Sequence, residues 1–431
     1  MNIALPDSLN FERQIPLDGS CSQQEVTTVP ITGVNEYTPG SYFIINIPRT
    51  APNCVLDANN SFLRFRLKNT NAAGGASLTL NNSCDCIFQR LEVMYAGNVI
   101  ECIDDYSVLS NLLLDICVEP HYRSTTLNML KGCNTTSNLP YGETISPASS
   151  RFYSTTLISG VVGSLARSYI PIFALSGPIQ IKLTLHSNKM AFKWSADNPS
   201  DYKIDQIEFH SNTIRLSDQV MSMISTPDNR YTLYSESYSN YNAIVAASTT
   251  SLEQLIPCRY SSLKTVLLAM RLQTNSNNNT HQQFPQARSA MGLVDFAYRL
   301  GSLVMPPQRV KGNDVSYVEC FEQLKKSFHF GGNTLATVGM MRFDNYTDST
   351  TNASGCTDLS NSKGMHCLGI DMEVYSSKSG QILSGVNCTG NDLYFSATFL
   401  STGIPSIAQF DFFLHHDTIY QIQDGVLMVN V

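Results

Sequence analysis

The second half of this 431-residue chain repeats the plan of the first half about two hundred positions later. Phe209–Ile214 (FHSNTI) corresponds to Leu414–Ile419 (LHHDTI), and each segment closes a run of strand-like residues. The other corresponding landmarks are a turn glycine (Gly97, Gly301), a tyrosine opening an amphipathic segment (Tyr106, Tyr317) and an alternating apolar run (Pro178–Leu183, Asp392–Ala397). Because four landmarks of different kinds keep one order at similar offsets, we interpret them as a tandem duplication.

Short apolar or alternating runs, separated by loops rich in Asn, Ser, Thr and Gly, predict an all-β sandwich or barrel. In Phe62–Lys68 apolar residues occupy alternate positions, which is the period of a half-buried strand. Phe88–Tyr95 and Val99–Ile103 flank a turn at Gly97 and predict a hairpin. The other predicted strands are Ser41–Pro48, Arg151–Ile158, Ile179–Leu185, Ile204–Ile214, Arg230–Ala247, Leu263–Met270, Leu393–Leu400, Phe410–Leu414 and Gly425–Val431.

Each half also holds one segment with the spacing of an amphipathic helix. Apolar residues recur at helical spacing in Tyr106–Ile116, directly after Asp104–Asp105, which can cap a helix start. Tyr317–Phe328 shows the same spacing, and Ser316 with Glu319 matches a capping box. We therefore predict one short helix at the same place in each half.

The turn-rich segment Ser225–Asn229 is the boundary most consistent with the repeat. The chain is long enough for two domains of about two hundred residues, each with its own core. We predict an N-terminal unit, with an N-terminal arm, over residues 1–226 and a C-terminal unit over 227–431. Long polar loops, which we expect to be exposed or functional, occupy residues 69–83, 119–150, 274–288 and 344–363.

Composition excludes several classes of protein. Hydrophobic residues make up 42% of the chain, no apolar run approaches the length of about 20 residues that spans a bilayer, and Met1–Asn10 lacks the pattern of a signal peptide. We expect a soluble protein made inside a cell, whose twelve cysteines, none in a C-x-x-C pair, stay reduced and pack as apolar residues. A net charge of −7 without a block of Lys or Arg predicts no direct binding of nucleic acid.

Three polar groups could carry chemistry, and each also has a structural explanation. His415–Asp417 (HHD) is the densest candidate for acid–base or ligand chemistry, but its counterpart His210–Asn212 keeps only the first histidine and the segment sits at a predicted strand end. Asp104–Asp105 could be paired carboxylates, although a helix cap explains them equally well. Cys84–Cys86 (CDC) is too closely spaced for half of a zinc site, and we interpret it as a loop entering a strand at Ile87.

Two further groups could bind a ligand. Tandem glycines at Gly74–Gly75 and Gly331–Gly332 lack the flanking residues of a phosphate-binding loop, and no nucleotide, metalloprotease or serine-hydrolase motif occurs. The predicted strand Arg230–Ala247 carries four tyrosines, Tyr231, Tyr234, Tyr238 and Tyr241, which could stack on nucleic acid or sugar. Because they have no basic neighbours, we favour places in a sheet core and in inter-subunit contacts. We therefore predict a structural protein without catalytic, cofactor-binding or metal-binding residues, and not an enzyme.

The order of elements resembles that of the double jelly-roll major capsid proteins of polinton-like viruses and virophages, the group that includes the adenovirus hexon. The similarity covers nearly the whole chain but contains no diagnostic motif. It is carried by Ser41–Pro48 with Phe62–Lys68, Phe88–Ile100 with the helix Tyr106–Ile116, Arg299–Ser302 and Pro306–Pro307 ahead of the helix Tyr317–Phe328, and Leu383–Asn387 leading into Leu393–Val431. The resemblance implies two tandem eight-stranded jelly rolls, each with a short helix, and long polar loops.

The resemblance also implies a function in the virion. Three chains would form a homotrimer, a pseudo-hexameric capsomer that tiles an icosahedral shell. Its partners would be neighbouring capsomers, penton proteins and minor capsid proteins, with assembly in the cytoplasm or nucleus of the host cell. The polar loops would face solvent and the arm Met1–Gln24 would lie toward the inner side or a neighbour, while the presence of an inner membrane stays open.

Three alternatives stay open as well. A single-jelly-roll RNA virus coat with a projecting domain would usually bring a basic arm, whereas Arg13 is the one basic residue among the first twenty. A two-jelly-roll, glycan-processing amidase would be of the secreted type and would need a carboxylate-lined cleft between its barrels. A carbohydrate-binding lectin is the third alternative.

Overall fold

A computed structural model describes residues 21–49, 51–133, 142–187, 191–193, 202–224, 229–272, 288–312, 317–328, 365–373 and 384–430. Within these ranges, β-strands form five antiparallel sheets. The strands are β1 (Ser22–Thr28), β2 (Glu36–Tyr37), β3 (Tyr42–Ile47), β4 (Cys54–Asn69), β5 (Leu78–Leu80), β6 (Phe88–Tyr95), β7 (Asn98–Ile103), β8 (Thr144–Ile145), β9 (Ser150–Thr155), β10 (Ile179–Leu185), β11 (Phe192–Lys193), β12 (Tyr202–Arg215), β13 (Arg230–Val245), β14 (Ser251–Ile256), β15 (Leu263–Leu272), β16 (Leu293–Leu300), β17 (Leu303–Lys311), β18 (Leu368–Asp371), β19 (Leu393–Phe399), β20 (Ala408–Gln423) and β21 (Val426–Asn430).

Helices connect some of these strands. They are α1 (Tyr106–Cys117), α2 (Pro120–Ser124), α3 (Thr126–Lys131), α4 (Asp218–Ile224) and α5 (Val318–Ser327). Within the described ranges, no helix is both long and apolar enough to cross a membrane.

The same strand order occurs twice. In the first half, one sheet has the order β1-β12-β4-β9 and the other β3-β10-β6-β7; in the second half the orders are β13-β20-β15-β18 and β14-β19-β16-β17. The eight main strands are β1, β3, β4, β6, β7, β9, β10 and β12 in the first half and β13–β20 in the second. Numbered 1 to 8 in chain order within each half, they give the same two sheet orders, 1-8-3-6 and 2-7-4-5. Two such four-stranded antiparallel sheets facing each other form a jelly roll. The predicted all-β double jelly roll is therefore confirmed, and we call β1–β12 the N-terminal and β13–β21 the C-terminal jelly roll.

Three of the four repeat landmarks occupy equivalent places. Gly97 and Gly301 both have positive φ, 84° and 57°, in the hairpin turns β6–β7 and β16–β17. The strands β10 and β19 are both seven residues long with strictly alternating burial. His210 and His415 lie inside β12 and β20. The segment Phe209–Ile214 closes β12, as predicted, but Leu414–Ile419 does not close β20, which continues to Gln423. Both strands are central in their sheets, and pairing on each side extends them beyond the histidines.

The paired helices are present, but their predicted caps are not. Asp105 and Tyr317 occupy the N-cap positions of α1 and α5 with φ of 47° and 46°, and neither makes a side-chain cap hydrogen bond. A capping side chain normally reaches the first turn from extended backbone, which these left-handed residues do not have. Ser316 lies outside the described residues, and Glu319 instead accepts a hydrogen bond from the Lys311 backbone at 2.8 Å.

Additional short elements occupy segments predicted to be loops. The strands β5 and β8 and the helices α2 and α3 fall within residues 69–83 and 119–150, and α4 precedes the predicted boundary. The prediction of one helix in each half was therefore incomplete, because these elements are too short for a periodic signal. Residues 274–287 and 344–363 lie outside the described part, as do 225–228, so the division at 226/227 stays a prediction.

Each jelly roll is filled by the inward-facing side chains of its two sheets. Phe88 contacts Phe65 and Tyr106 edge-on, with ring centroids 5.5 and 6.4 Å apart, and Phe395 meets Phe412 at 5.4 Å. Such aromatic contacts add to the free energy of burying large apolar side chains. The described cysteines are free thiols and most are buried, as expected for small apolar residues.

Candidate functional site: the junction between the two jelly rolls

Polar side chains from the two jelly rolls meet along β13. This strand lies at the edge of its sheet, beside β7 and the segment 159–167 of the N-terminal jelly roll. The residues that bond across the boundary are called the junction. They are Tyr95, Glu101, Asp104, Asp105, Asp115, Gly160, Leu165, Ala166, Arg167 and Ser176 on the N-terminal side and Ser235, Glu236, Ser237, Asn240, Asn242, Arg288 and Gly425 on the C-terminal side.

Glu101 is a carboxylate at the centre of the junction, on β7 and only 5% exposed. It accepts hydrogen bonds from the Gly160 backbone at 2.9 Å, from the Ser159 hydroxyl, and from the hydroxyl of Ser237 on β13 at 2.5 Å. Burial raises the pKa of Glu101, and the hydrogen bonds from Gly160, Ser159 and Ser237 oppose that rise. A buried acceptor of one jelly roll is thus satisfied by a donor of the other.

The backbone of the two jelly rolls also comes into direct contact at Gly160. The hydroxyl of Ser235 donates to the carbonyls of Gly160 and Leu165 at 2.7 and 3.0 Å, and Ala166 forms a β-bridge with Ser235. A Cβ at position 160 would lie 2.4 Å from the carbonyl oxygen of Glu236. Only glycine therefore allows this approach without moving β13.

Glu236 forms the second polar centre of the junction. Its carboxylate lies 2.5 Å from Lys264 Nζ and 3.4 Å from His415 Nε2, and it also pairs with Arg167 of the N-terminal jelly roll. Burial raises the pKa of Glu236, but hydrogen bonds and charges from His415 and Lys264 outweigh it and hold the pKa well below its ordinary value. Glu236 is therefore a fixed anion that ties one jelly roll to the other.

Lys264 is nearly buried and is surrounded by carboxylates. Its ammonium lies 3.1 Å from Glu373 and 3.9 Å from Asp417, in addition to Glu236. Burial lowers the pKa of Lys264, but the hydrogen bond and charges of these carboxylates raise it by more. A nucleophilic lysine needs a lowered pKa, so this arrangement favours a structural ion pair over covalent catalysis.

The alternation of β20 places His416 on one face of the strand and His415 and Asp417 on the other. His415 stacks on Tyr238 at 4.5 Å, whereas His416 stacks on Tyr260 at 4.0 Å. Asp417 accepts a hydrogen bond from the Ser262 hydroxyl at 2.6 Å. Burial lowers the pKa of His416 to about 4, which keeps this imidazole neutral at physiological pH. His415 and Asp417 belong to the ion-pair cluster of Glu236 and Lys264, whereas His416 lies apart from it. No candidate metal cluster occurs in the described residues.

The C-terminal hairpin β20–β21 is held by a tyrosine of the N-terminal jelly roll. Tyr95 is 2% exposed, donates a hydrogen bond to the carbonyl of Gly425, and accepts from the Ser176 and Gly177 backbones at 3.0 and 3.1 Å. Ser176 also donates its own N–H to Gly425 at 3.0 Å. The end of the chain is thereby anchored on the first jelly roll.

Asp115 on α1 joins a third polar centre. It lies 2.9 Å from Arg123 Nη1 of α2 and 2.6 Å from Arg288 Nη2 of the C-terminal jelly roll. All three side chains are fully buried. Breaking such a pair leaves an uncompensated charge without water, so α1, α2 and the second jelly roll are held together here.

Asp104 and Asp105 line a polar cleft of about 370 Å³ between the jelly rolls. Asp104 lies 2.8 Å from Arg90 Nε, and Asp105 receives amide hydrogen bonds from Asn240 and Asn242 at 3.5 and 3.4 Å. Burial raises the pKa of Asp104, and the charges of Asp105 and a neighbouring glutamate add to the rise despite Arg90. The remaining lining residues are Gln89, Glu92, Lys182, Thr184 and Tyr241.

The prediction that Cys84–Cys86 forms a loop was wrong. These residues begin a short 3-10 helix, Cys84–Ile87, which is capped by Ser83. Its central Asp85 is buried and pairs with Lys131 of α3 at 2.8 Å, while Ser110 of α1 donates to it at 2.7 Å. The ion pair of Asp85 with Lys131 joins this 3-10 helix to α3. These residues therefore support α1 and α3.

The four tyrosines of β13 do not form one surface. Tyr238 is buried and Tyr241 stacks on Phe412 at 6.2 Å, within the C-terminal jelly roll. Tyr231 meets Phe173 of the N-terminal jelly roll edge-on at 5.5 Å, and Tyr234 is partly exposed. Tyr238 and Tyr241 thus belong to the sheet core and Tyr231 to the boundary between the jelly rolls.

The two glycine pairs contribute no described site. Gly74 has a φ of 87° in a turn where a Cβ would meet nothing within 4 Å, and Gly331–Gly332 lies outside the described residues. Sequence reasoning missed the residues that do matter at the junction, Glu101, Asp115 and Arg288. The sequence does contain a signal for Glu101 and Asp115. Each is a charged residue inside an apolar run, VIECI and LLLDIC, and such a residue is expected to need a buried partner.

Neither a protein-family model nor a curated protein sequence matches the chain. Solved structures do match it. VP54 of the virus PBCV-1, fitted into a reconstruction of the virophage Sputnik, superposes with a TM-score of 0.63 at 11% identity, over 96% of this chain and 97% of VP54. The mavirus major capsid protein gives 0.53 at 9% identity, over 100% of this chain and 95% of that protein.

A chain from the cryo-EM structure of the Sputnik virophage gives a TM-score of 0.55 at 11% identity, covering 100% of this chain and 93% of that one. At such low identity the similarity shows the fold. This chain has the double jelly-roll fold of viral major capsid proteins. The resemblance inferred from the order of elements is therefore confirmed at the level of architecture.

Proposed function

We propose that this chain is a major capsid protein and that three copies form a pseudo-hexameric capsomer of an icosahedral shell. The observation that carries the proposal is one strand order repeated in two jelly rolls that are joined by buried polar contacts. A trimer of such chains presents six similar walls and can fill a sixfold lattice position with threefold symmetry. A rigid junction suits that task because the lattice requires a fixed angle between the walls.

The chemistry of the junction supports a structural role rather than an enzymatic one. Glu236 is held ionised and Lys264 protonated, so both act as fixed ion-pair partners. We propose that the protein resides in the virion, is assembled in the host cytoplasm or nucleus, and contacts neighbouring capsomers, penton proteins and minor capsid proteins. With a net charge of −7 and no basic block, it is not built to neutralise a genome itself.

The assembly state tests the proposal. Size-exclusion chromatography with light scattering should give three times the chain mass over a wide concentration range, and negative-stain images should show hexagonal outlines with threefold features. A monodisperse monomer at high concentration contradicts the proposal. Single outlines with two lobes and no threefold symmetry contradict it as well.

The cleft lined by Asp104 and Asp105 favours a second candidate, a protein that binds or processes glycans. Carboxylates between two jelly rolls are the arrangement such an enzyme needs, and the pKa of Asp104 is raised, as suits a general acid. Incubation with an N-linked glycopeptide tests this candidate. Sugar release by the wild type that is lost in Asp104→Asn but kept in Glu253→Gln, an exposed carboxylate outside the cleft, would favour the enzyme.

A further inference from the structure

The third polar centre of the junction carries an unbalanced charge. Arg123 and Arg288 are both fully buried and share a single carboxylate, that of Asp115. A guanidinium cannot lose its proton in a protein, so these three side chains carry a net charge of plus one without water around them. Arg271, by contrast, has a buried carboxylate of its own, that of Asp411 at 2.6 Å.

Most of the donors on the two guanidiniums have no acceptor. Nε and Nη2 of Arg123, and Nε and Nη1 of Arg288, are buried atoms without a hydrogen-bond partner. A buried donor left unpaired costs free energy comparable to a lost hydrogen bond, and more when it is charged. Four such nitrogens, on two arginines that pair with the same carboxylate, are the donor set that an anion requires.

The described surroundings do not supply the missing negative charge. Asp115 is the one carboxylate within ion-pair distance of either guanidinium in the described ranges. Burial raises the pKa of Cys133 to about 11 and of Cys367 to about 12, so both stay neutral thiols. His366 stays neutral as well, because burial and the nearby Arg288 lower its pKa to about 3.

We propose that a small monovalent inorganic anion of the halide class binds between Arg123 and Arg288. A single negative charge matches the single excess positive charge, and the four unpartnered nitrogens supply its hydrogen bonds. Arg123 belongs to the N-terminal jelly roll and Arg288 to the C-terminal one, so the bound anion bridges them. The inference stands independently of the proposed capsid function.

Bromide crystallography of the full-length wild-type protein tests the site directly. In crystals in which sodium bromide replaces sodium chloride, an anomalous peak is expected within hydrogen-bonding distance of Arg123 Nη2 and Arg288 Nη1. A carboxylate of the chain itself at that position overturns the proposal. Ordered water without anomalous signal overturns it too.

Thermal unfolding gives the solution test. Above the dissociation constant, the wild-type midpoint should rise by about 1–2 °C for each tenfold increase in sodium chloride over sodium gluconate at equal ionic strength. Arg123→Met keeps the volume and leaves Arg288 balanced by Asp115, so its midpoint should not depend on chloride. Arg299→Met, which removes an exposed guanidinium, should keep the wild-type shift.

A purely structural role for Arg123 predicts a different result. Arg123→Met would then lower the midpoint equally in both salts, and the wild type would show no chloride-specific shift. Either result contradicts the anion site. If Arg123→Met does not fold, the bromide experiment on the wild type still decides.

Discussion

The helices α1 and α5 occupy the same place in their jelly rolls but have different surroundings. The helix α1 follows the hairpin β6–β7, and α5 follows the equivalent hairpin β16–β17. Each starts from a residue with left-handed backbone. Ten of the twelve residues of α1 are buried, against three of the ten in α5. The ends of α1 reach the C-terminal jelly roll, at Asp105 with Asn240 and at Asp115 with Arg288, whereas α5 packs on β17 and β18 of its own.

The helix α1 is buried mainly by the 3-10 helix Cys84–Ile87 and by β6 of its own jelly roll, and the junction adds polar contacts at both of its ends. On α5 the acidic Glu322 pairs with Lys325 at 3.4 Å on the exposed face, as is typical of a surface helix. On α1 the acidic Asp115 is fully enclosed by two arginines. The two jelly rolls therefore differ at the helix whose ends bond across the junction, and single substitutions on α1, α5 and β13 test that difference.

The largest effect is expected from Asp115→Asn. The change removes the carboxylate that Arg123 and Arg288 share, and breaking a buried ion pair in this way costs about 3–5 kcal/mol. We expect a large drop in the thermal midpoint and in soluble yield. Hydrogen exchange should rise in α1 and α2 together, because both lose their common partner.

Glu322→Gln on α5 is the matched control, since it removes one charge from the equivalent helix. Exposed pairs at this spacing are worth less than about 0.5 kcal/mol, so the midpoint should hardly move. Equal losses in the two variants would show that burial at the junction does not distinguish the helices.

Gly160→Ala should have the next largest effect. The new Cβ would lie 2.4 Å from the Glu236 carbonyl, so β13 must shift away, at a cost of about 1–3 kcal/mol for overpacking. Hydrogen exchange should increase in β13 more than in β19. Gly177→Ala is the control because a Cβ there meets nothing within 4 Å, and it should change stability by less than about 0.5 kcal/mol.

The sequence predicted the repeated architecture better than the junction. The bounds of β6 and β10 match residue by residue, because alternating apolar positions define β10 and the turn at Gly97 marks the end of β6. The helix α2 was missed since its five residues show no period and its Arg123 finds its partner only in three dimensions. The same holds for Ser237 and Glu101, which lie 136 positions apart, a pairing that local patterns cannot reveal.

The pH dependence of stability should separate the two carboxylates of the junction. The pKa of Glu236 is lowered from 4.5, so its contribution is present above that value and is lost as the pH falls through the lowered pKa. The pKa of Glu101 is raised, mainly by burial, so its contribution is present below 4.5 and is lost as the pH rises through the raised pKa.

Glu236→Gln should therefore make the protein lose less stability on acidification, and Glu101→Gln should make it lose more. The effect at neutral pH should be moderate for Glu236→Gln, because Lys264 keeps Glu373 and Asp417. Urea unfolding at a series of pH values, from neutral to below 4.5, gives the slope of the free energy of unfolding against pH for each variant. Parallel slopes for the two variants would refute the assigned directions.

The smallest effect is expected from Ser237→Ala. It removes the one hydroxyl that β13 donates to Glu101, but Gly160 and Ser159 still donate, so the loss should be about 1 kcal/mol. Ser149→Ala removes an exposed hydroxyl bonded to a backbone carbonyl and should cost almost nothing. Because Glu101 would keep only donors of its own jelly roll, the loss should appear as faster hydrogen exchange in β13 with β6 and β10 unchanged. Uniform acceleration across both jelly rolls would mean that Ser237 stabilises the whole fold rather than the contact between its halves.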